Sequence, residues 1–187
     1  MLLVAVGFAA CDETDEVGEF DNWQARNVAY VDSIARIATS NVDGTWKKFL
    51  AYGLVDTVKW DNQYYVYCKV LESGEGSEMP KYTDIVKVNF RGHLIPTSNY
   101  PDGRVFDQSY EGDLDPETDV PTSLSLAGCV RGWTTAVCEM VKGDVWRVYV
   151  PSELGYGATD QSAVPAHSTL VFDINLVDFS KMGSSAY

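Results

Sequence analysis

The chain has 187 residues, with 14 Lys and Arg against 27 Asp and Glu, for a net charge of −13. At about 150 residues per domain this is one domain plus an extension, and 45% hydrophobic with 22% charged residues excludes a disordered chain. So acidic a chain is repelled by phosphate backbones, which excludes nucleic acid as a partner.

The chain opens on MLLVAVGFAA at residues 1–10, apolar throughout and too short to span a bilayer. An apolar stretch ending in small residues reads as the late part of a secretory signal, here a remnant of one. Ala9 and Ala10 followed by Cys11 resemble a bacterial lipobox, which makes Cys11 the expected lipidation site and anchor to a membrane. Phe8 departs from the Leu usual at that place, and the basic stretch that ordinarily precedes such a segment is absent. Residues 11–20 are then an acidic tether. Beyond Cys11, the cysteines are Cys68, Cys129 and Cys138, with no CxxC spacing, and the only histidines are His93 and His167. Neither a zinc knuckle nor a redox pair is supported, and buried apolar thiols are the expectation.

Residues 21–59 read as a helical arm. Asp21 or Asn22 can cap a helix on which Trp23, Tyr30, Ile34 and Ile37 share a face. Asn41–Gly44 breaks it, and a second short helix over 46–52 is expected, closed by Gly53. The apolar face is not a sustained heptad, so no dimer is inferred from it. From Gln63 the period changes to two. The stretches YYVYCKVLE, Val86–Leu94, Trp146–Val150 and Leu170–Leu176 alternate apolar with polar residues, as antiparallel strands with one solvated face do. Trp133, Val137 and Met140 mark one short helix ended by Gly143. This predicts an α+β fold, with the helix covering the apolar face of the sheet.

No dinucleotide-binding glycine motif, P-loop or nucleophile elbow occurs. Asp113, Asp115, Glu117 and Asp119 alternate like a calcium loop, but Thr118 and Leu124 stand where that loop needs Gly and Glu. The acidic loop is read as solvated, and no metal or cofactor is expected.

The stretch from Tyr82 to Phe179 resembles the FKBP-type peptidyl-prolyl cis-trans isomerases, through several segments in the correct order. They are Val88–Leu94 (VNFRGHL), Asp102–Asp107 (DGRVFD), Leu126–Trp133 (LAGCVRGW), Met140–Gly143 (MVKG), Val150–Gly157 (VPSELGYG) and Val164–Phe172 (VPAHSTLVF). The opening strand of the family fits Tyr64 to Gly76. The resemblance implies a curved antiparallel sheet wrapped around one short helix over residues 60–179, followed by a disordered tail at 180–187. It implies proline-containing polypeptides as partners, a macrolide as a possible inhibitor, and an envelope location if the Cys11 anchor is used.

Prolyl isomerisation needs no nucleophile, metal or cofactor. Twisting the amide removes its resonance and leaves it less polar than the planar form. An apolar pocket that strips water therefore favours the twisted state. By resemblance Trp133 is the pocket floor, with Phe90, Phe106 and Phe172 as sides. Cys129 and Val130 lie at the helix entry, the Val130 amide facing the substrate. Tyr156 offers its hydroxyl, Val164 caps the pocket, and Asp107 places one carboxylate at the edge. Phe90 stands where the family commonly has Tyr, Cys129 replaces a branched aliphatic residue, and a bulky aromatic common near Thr122 is missing. Two long loops, within Leu94–Phe106 and Tyr110–Pro121, border this region. These departures keep open a non-catalytic reading, in which the pocket binds a proline peptide or macrolide as a chaperone module. A structural lipoprotein is a third reading.

Overall fold

The computed structural model describes residues 18–115 and 118–181. The proposed signal remnant, Cys11 and most of the tether and tail lie outside the described residues. Helix α1 spans Trp23–Ser40 and is followed by strand β1, Trp46–Leu50. Then come β2 (Tyr65–Glu72), β3 (Ile85–His93), β4 (Val105–Gln108) and β5 (Thr122–Ser125). Helix α2 (Arg131–Val137), β6 (Val145–Val150) and β7 (Leu170–Ser180) complete the fold. Every pairing is antiparallel, and the sheet runs β1-β2-β6-β7-β3-β4, with β5 also on β3. The α+β expectation holds. Among the described residues no helix is long and apolar enough to cross a membrane.

Alternation in the central strands sorts their side chains onto two faces. Register places Phe90 opposite Ile174, Gly92 opposite Phe172 and Val148 opposite Phe172, so these residues share the inner face. Cys68, Val86, Val88, Trp146 and Leu176 join them there, packed with Trp133, Ala136 and Val137 of α2. Gly132 of α2 lies so close to the Val150 side chain that a Cβ would collide with it. Helix α2 ends at Val137, earlier than the Met140 pattern implies. Met140 is fully buried in the turn that follows, which the Asp144 carboxylate ties by accepting the N–H groups of Gly74 (2.8 Å) and Val141 (2.8 Å).

The outer face is not simply solvated. Helix α1 covers part of it, packing Val31, Ile34, Ala35 and Ala38 onto Tyr67, Tyr149 and Val171. The molecule thus has three layers there: α1, sheet, α2. The buried stripe of α1 runs through Trp23, Asn27, Val31, Ile34 and Ala35, while Ile37 is 47% exposed. The expected face is rotated because small alanines and a polar Asn27 let the helix approach, a choice that hydrophobicity alone does not show. Its start at Asn22 has no side-chain cap, and its end is an Asn41 in the left-handed conformation.

The second helix expected over 46–52 is strand β1 instead, paired from Trp46 with Lys69 to Leu50 with Tyr65. Its lysines lie over aromatic rings: Lys47 over Trp146 at 4.6 Å and Lys48 over Tyr65 at 3.8 Å. Lysine stems that cover apolar surface erase the polar–apolar alternation from which a strand is read. Lysines also suit an edge strand, where they discourage pairing with another chain.

Helix α1 is fastened to the loop before β7. Trp23 Nε1 donates to Ser168 Oγ at 2.9 Å, and the Thr169 N–H donates to Asn27 Oδ1 at 2.7 Å. Asn27 Nδ2 in turn donates to the Trp23 carbonyl at 2.8 Å. Both Asn27 and Thr169 are buried. Asn27→Ala leaves the Thr169 N–H without its partner, so unfolding free energy should fall by about 1–3 kcal/mol. Urea denaturation checks this as a lower midpoint with unchanged slope. A change within about 0.5 kcal/mol, the range of a surface substitution, would show that water reaches this N–H and that the helix is loosely held.

Candidate active site

A pocket of about 230 Å³ opens where the inner face of the sheet meets the start of α2. It is lined by Phe90, Asp107, Leu124, Gly128, Cys129, Val130, Trp133, Tyr156 and Phe172. Phe90 and Phe172 come from β3 and β7, Asp107 from β4, and Trp133 from α2. Val130 is the residue that enters α2, in an extended conformation, and its carbonyl accepts the Thr134 N–H at 3.1 Å. Tyr156 stands on the turn after β6, 39% exposed, while Trp133 is 3% exposed. The floor is thus core and the rim is open.

Phe106 and Val164 are placed differently from the expectation, since neither lines the cavity. The Phe106 ring packs edge-on against Phe172, centroids 5.5 Å apart at 84°, and so fixes that wall from behind. This contact passes directly over Gly92. A Cβ there would sit 2.7 Å from the Phe106 ring and 2.8 Å from the Phe172 ring. Val164 is buried in the core, its backbone bridged to Gln161. Leu124 and Gly128 line the pocket without having been singled out. Leu124 sits on β5 opposite Val86, and its direction becomes legible only once that four-residue strand is recognised. Thr122 lines an adjoining groove of about 520 Å³ with Val120 and Pro121, which shares Phe90, Asp107 and Leu124 with the pocket.

Of the lining side chains only Asp107, Cys129 and Tyr156 can titrate. Burial pushes the Cys129 thiol up to about 11, so it stays protonated at neutral pH and is a poor nucleophile. The thiol lies 3.4 Å from the Ser125 carbonyl. Burial also raises the Tyr156 phenol, with the nearby Asp107 carboxylate and Cys129 adding to it, so its hydroxyl keeps its proton. The site therefore offers an apolar bowl, a phenolic donor and one carboxylate. The protonated thiol is poorly suited to covalent attack, and among the described residues no three His, Cys, Asp or Glu side chains cluster as a metal site would need. A larger cleft, about 380 Å³, lies on the opposite face of the sheet, by Tyr30, Arg91, His93 and Asp173. Three of the charged groups on its lining are engaged: Arg147 grips Asp173 through 2.6 and 2.8 Å bonds, and Arg91 Nε donates to Gln108 at 3.1 Å.

The profile of the FKBP-type peptidyl-prolyl cis-trans isomerase family matches residues 76–177, just over half of the chain. The chain is 39% identical over 122 residues to the FKBP-type peptidyl-prolyl cis-trans isomerase FkpA of Escherichia coli, covering 65% of this chain and 40% of that protein. It is 33% identical over 144 residues to the peptidyl-prolyl cis-trans isomerase Mip of Coxiella burnetii, covering 76% and 52% respectively. The chain thus spans about half the length of these relatives. Among solved structures, a peptidyl-prolyl cis-trans isomerase from Pseudomonas syringae superposes with a TM-score of 0.58 at 26% identity, over 84% of this chain and 96% of that one. With the profile spanning the strands and the helix that build the pocket, the chain belongs to the FKBP-type peptidyl-prolyl cis-trans isomerase family.

Proposed function

We propose that the chain is a peptidyl-prolyl cis-trans isomerase for X-Pro bonds of envelope or secreted polypeptides, working in the pocket between α2 and the sheet. The observation that carries this reading is the composition of that pocket. Three aromatic walls, Phe90, Trp133 and Phe172, surround a space of about 230 Å³ with one hydroxyl and one carboxylate on the same lining.

The proline ring rests on Trp133, between Phe90 and Phe172, with Phe106 holding Phe172 in place from behind. The planar amide is stabilised in water by resonance and by hydrogen bonds to its polar carbonyl. Inside the bowl that solvation is lost, and the planar form loses more than the less polar twisted one. Tyr156 donates to the substrate carbonyl and fixes its orientation, and the Val130 backbone N–H holds the adjoining peptide. The Asp107 carboxyl group lies beside the twisting bond as a polar edge, and the isomerisation needs no proton to be transferred. Cys129 contributes apolar wall. A macrolide of suitable shape would occupy the same bowl and act as a competitor.

The first expected outcome is accelerated exchange. Spontaneous X-Pro exchange takes tens to hundreds of seconds. NMR exchange measurements on short peptides, at catalytic protein concentration and with apolar X, should give a clearly faster rate that a family macrolide suppresses. Peptides that bind without faster exchange, for several different X, would establish the non-catalytic chaperone reading instead.

The second concerns how the barrier is lowered. Tyr156→Phe keeps the wall and deletes one hydroxyl, so the loss should be about 0.5–1.5 kcal/mol of transition-state stabilisation. Asp107→Asn should be tolerated within about tenfold, or ~1.4 kcal/mol. A loss of about a thousandfold, ~4 kcal/mol, in either variant with unchanged unfolding would show that electrostatics, and not desolvation, carry the catalysis.

Cys11 is proposed as a lipid anchor at a cell envelope membrane, because small residues and then an acidic tether flank it as in the bacterial lipobox. Intact-mass analysis of membrane-fraction protein should find acyl chains on Cys11 as the first residue. More than one chain is expected, since a single acyl group binds only reversibly. A soluble mature form that retains residues 1–10 would overturn the anchor.

A further inference from the structure

A second recess, about 270 Å³, adjoins the pocket and shares Cys129 with it as a wall. Its other sides are Tyr52, Tyr82, Ala127, Arg131 and Thr134. Tyr52 and Tyr82 stack face to face, with centroids 5.3 Å apart and planes within 2°. Both remain open to solvent, at 52% and 41% exposure. Stacked tyrosines present a large, stiff, amphipathic surface that loses little entropy when it is covered.

Tyr52 is held in place by the same helix that carries the pocket floor. Its N–H donates to Thr135 Oγ1 at 3.0 Å, and its carbonyl accepts Arg131 Nε at 2.8 Å. Next to it Ala51 is 1% exposed, locked in the core. Arg131 turns two of its guanidinium nitrogens to this backbone carbonyl and stays as a cation at the edge of the recess, beside the two rings, the Ala127 methyl group, Thr134 and the Cys129 thiol. Stacked rings beside a guanidinium favour an aromatic group, which can pack on both, over a second cation. Tyr52 lies upstream of the segment that matches the family profile, so the segment between α1 and the matched region contributes it.

We propose that the Tyr52–Tyr82 step is a second subsite of the isomerase pocket, taking an aromatic side chain a few residues along the substrate from the isomerised proline. The inference rests on the pocket reading above. The substrate class it selects is an unfolded polypeptide with an aromatic residue close to an X-Pro bond. An extended strand advances about 3.3 Å per residue, and one shared wall separates the two recesses, so a ring within a few residues of the proline reaches the tyrosines.

The test uses the full chain and a family of peptides with one X-Pro core. Phe is placed in turn at the second, third and fourth positions on either side, with Ala as reference. The wild-type protein should favour one Phe position by about three- to tenfold in kcat/KM, the size of one aromatic contact. Tyr52→Ala and Tyr82→Ala should each reduce that advantage to the Ala reference while leaving turnover of the Ala peptide unchanged. Ring signals of both tyrosines should shift on adding the favoured peptide. If the Phe advantage is absent, or persists in both variants, the subsite is overturned while the pocket reading stands. If no peptide, Ala reference included, is accelerated, the pocket reading falls and the subsite falls with it. Because both rings are exposed and the Tyr52 backbone bonds survive truncation, the two variants should fold, and they check each other.

Discussion

Helix α2 has only seven residues, Arg131–Val137, too few to persist in water without tertiary support. Everything at the site depends on its being pressed into the inner face of the sheet. All its residues except Arg131 are buried, and glycine at 132 is what permits the approach to Val150. Its hydroxyls look after neighbouring backbone: Thr134 Oγ1 donates to the Leu126 carbonyl at 2.8 Å, and Thr135 Oγ1 accepts the Tyr52 N–H. These ties set the angle at which Trp133 presents its ring as the pocket floor.

The pocket is therefore an unfilled end of the hydrophobic core and not a separate construction. Phe90, Trp133 and Phe172 belong to the same buried cluster as Trp146 and Ile174. Their energy of burial supports the fold, and the faces left open line the pocket. Gly92 shows how tight the arrangement is, since any side chain there would drive Phe106 from Phe172. For the same reason the groups separable from stability are those at the rim, Tyr156 and Asp107, whose polar atoms do not fill the core. The acidity of the chain does not enter this bowl, where one carboxylate is the sole acid on the lining.

A second, smaller buried cluster lies on the opposite face of the sheet. Helix α1 buries Tyr67, Tyr149 and Val171, and Trp46 stacks on Tyr149 with centroids 5.7 Å apart. Through Trp23 and Asn27 the same helix grips Ser168 and Thr169, only a few residues after Val164. What looks in sequence like an appended arm is thus packed on the sheet that carries the pocket and tied to the loop before its last strand. The segment after it adds β1 to the sheet and sets Tyr52 against α2.

The central strands β2, β3, β6 and β7 were legible in the sequence because period-two alternation is a local property of a half-buried strand. So was the amphipathic signal of α2 around Trp133 and Val137. The ordered motifs pointed to Phe90, Asp107, Cys129, Val130, Trp133, Tyr156 and Phe172, and folding brings these seven to one cavity. The rest depended on partners distant in the chain. Trp46–Leu50 becomes a strand because Tyr65–Lys69 lies ready to pair with it, while its lysines hide the alternation under aromatic contacts. The face of α1 is chosen by Tyr67 and Tyr149, onto which the alanines and not Ile37 pack, and by the bond that draws Asn27 to Thr169. Phe106 and Val164 stand behind the cavity, and Leu124 within it, because side-chain direction follows strand register. Register is settled only when separate segments meet across the sheet.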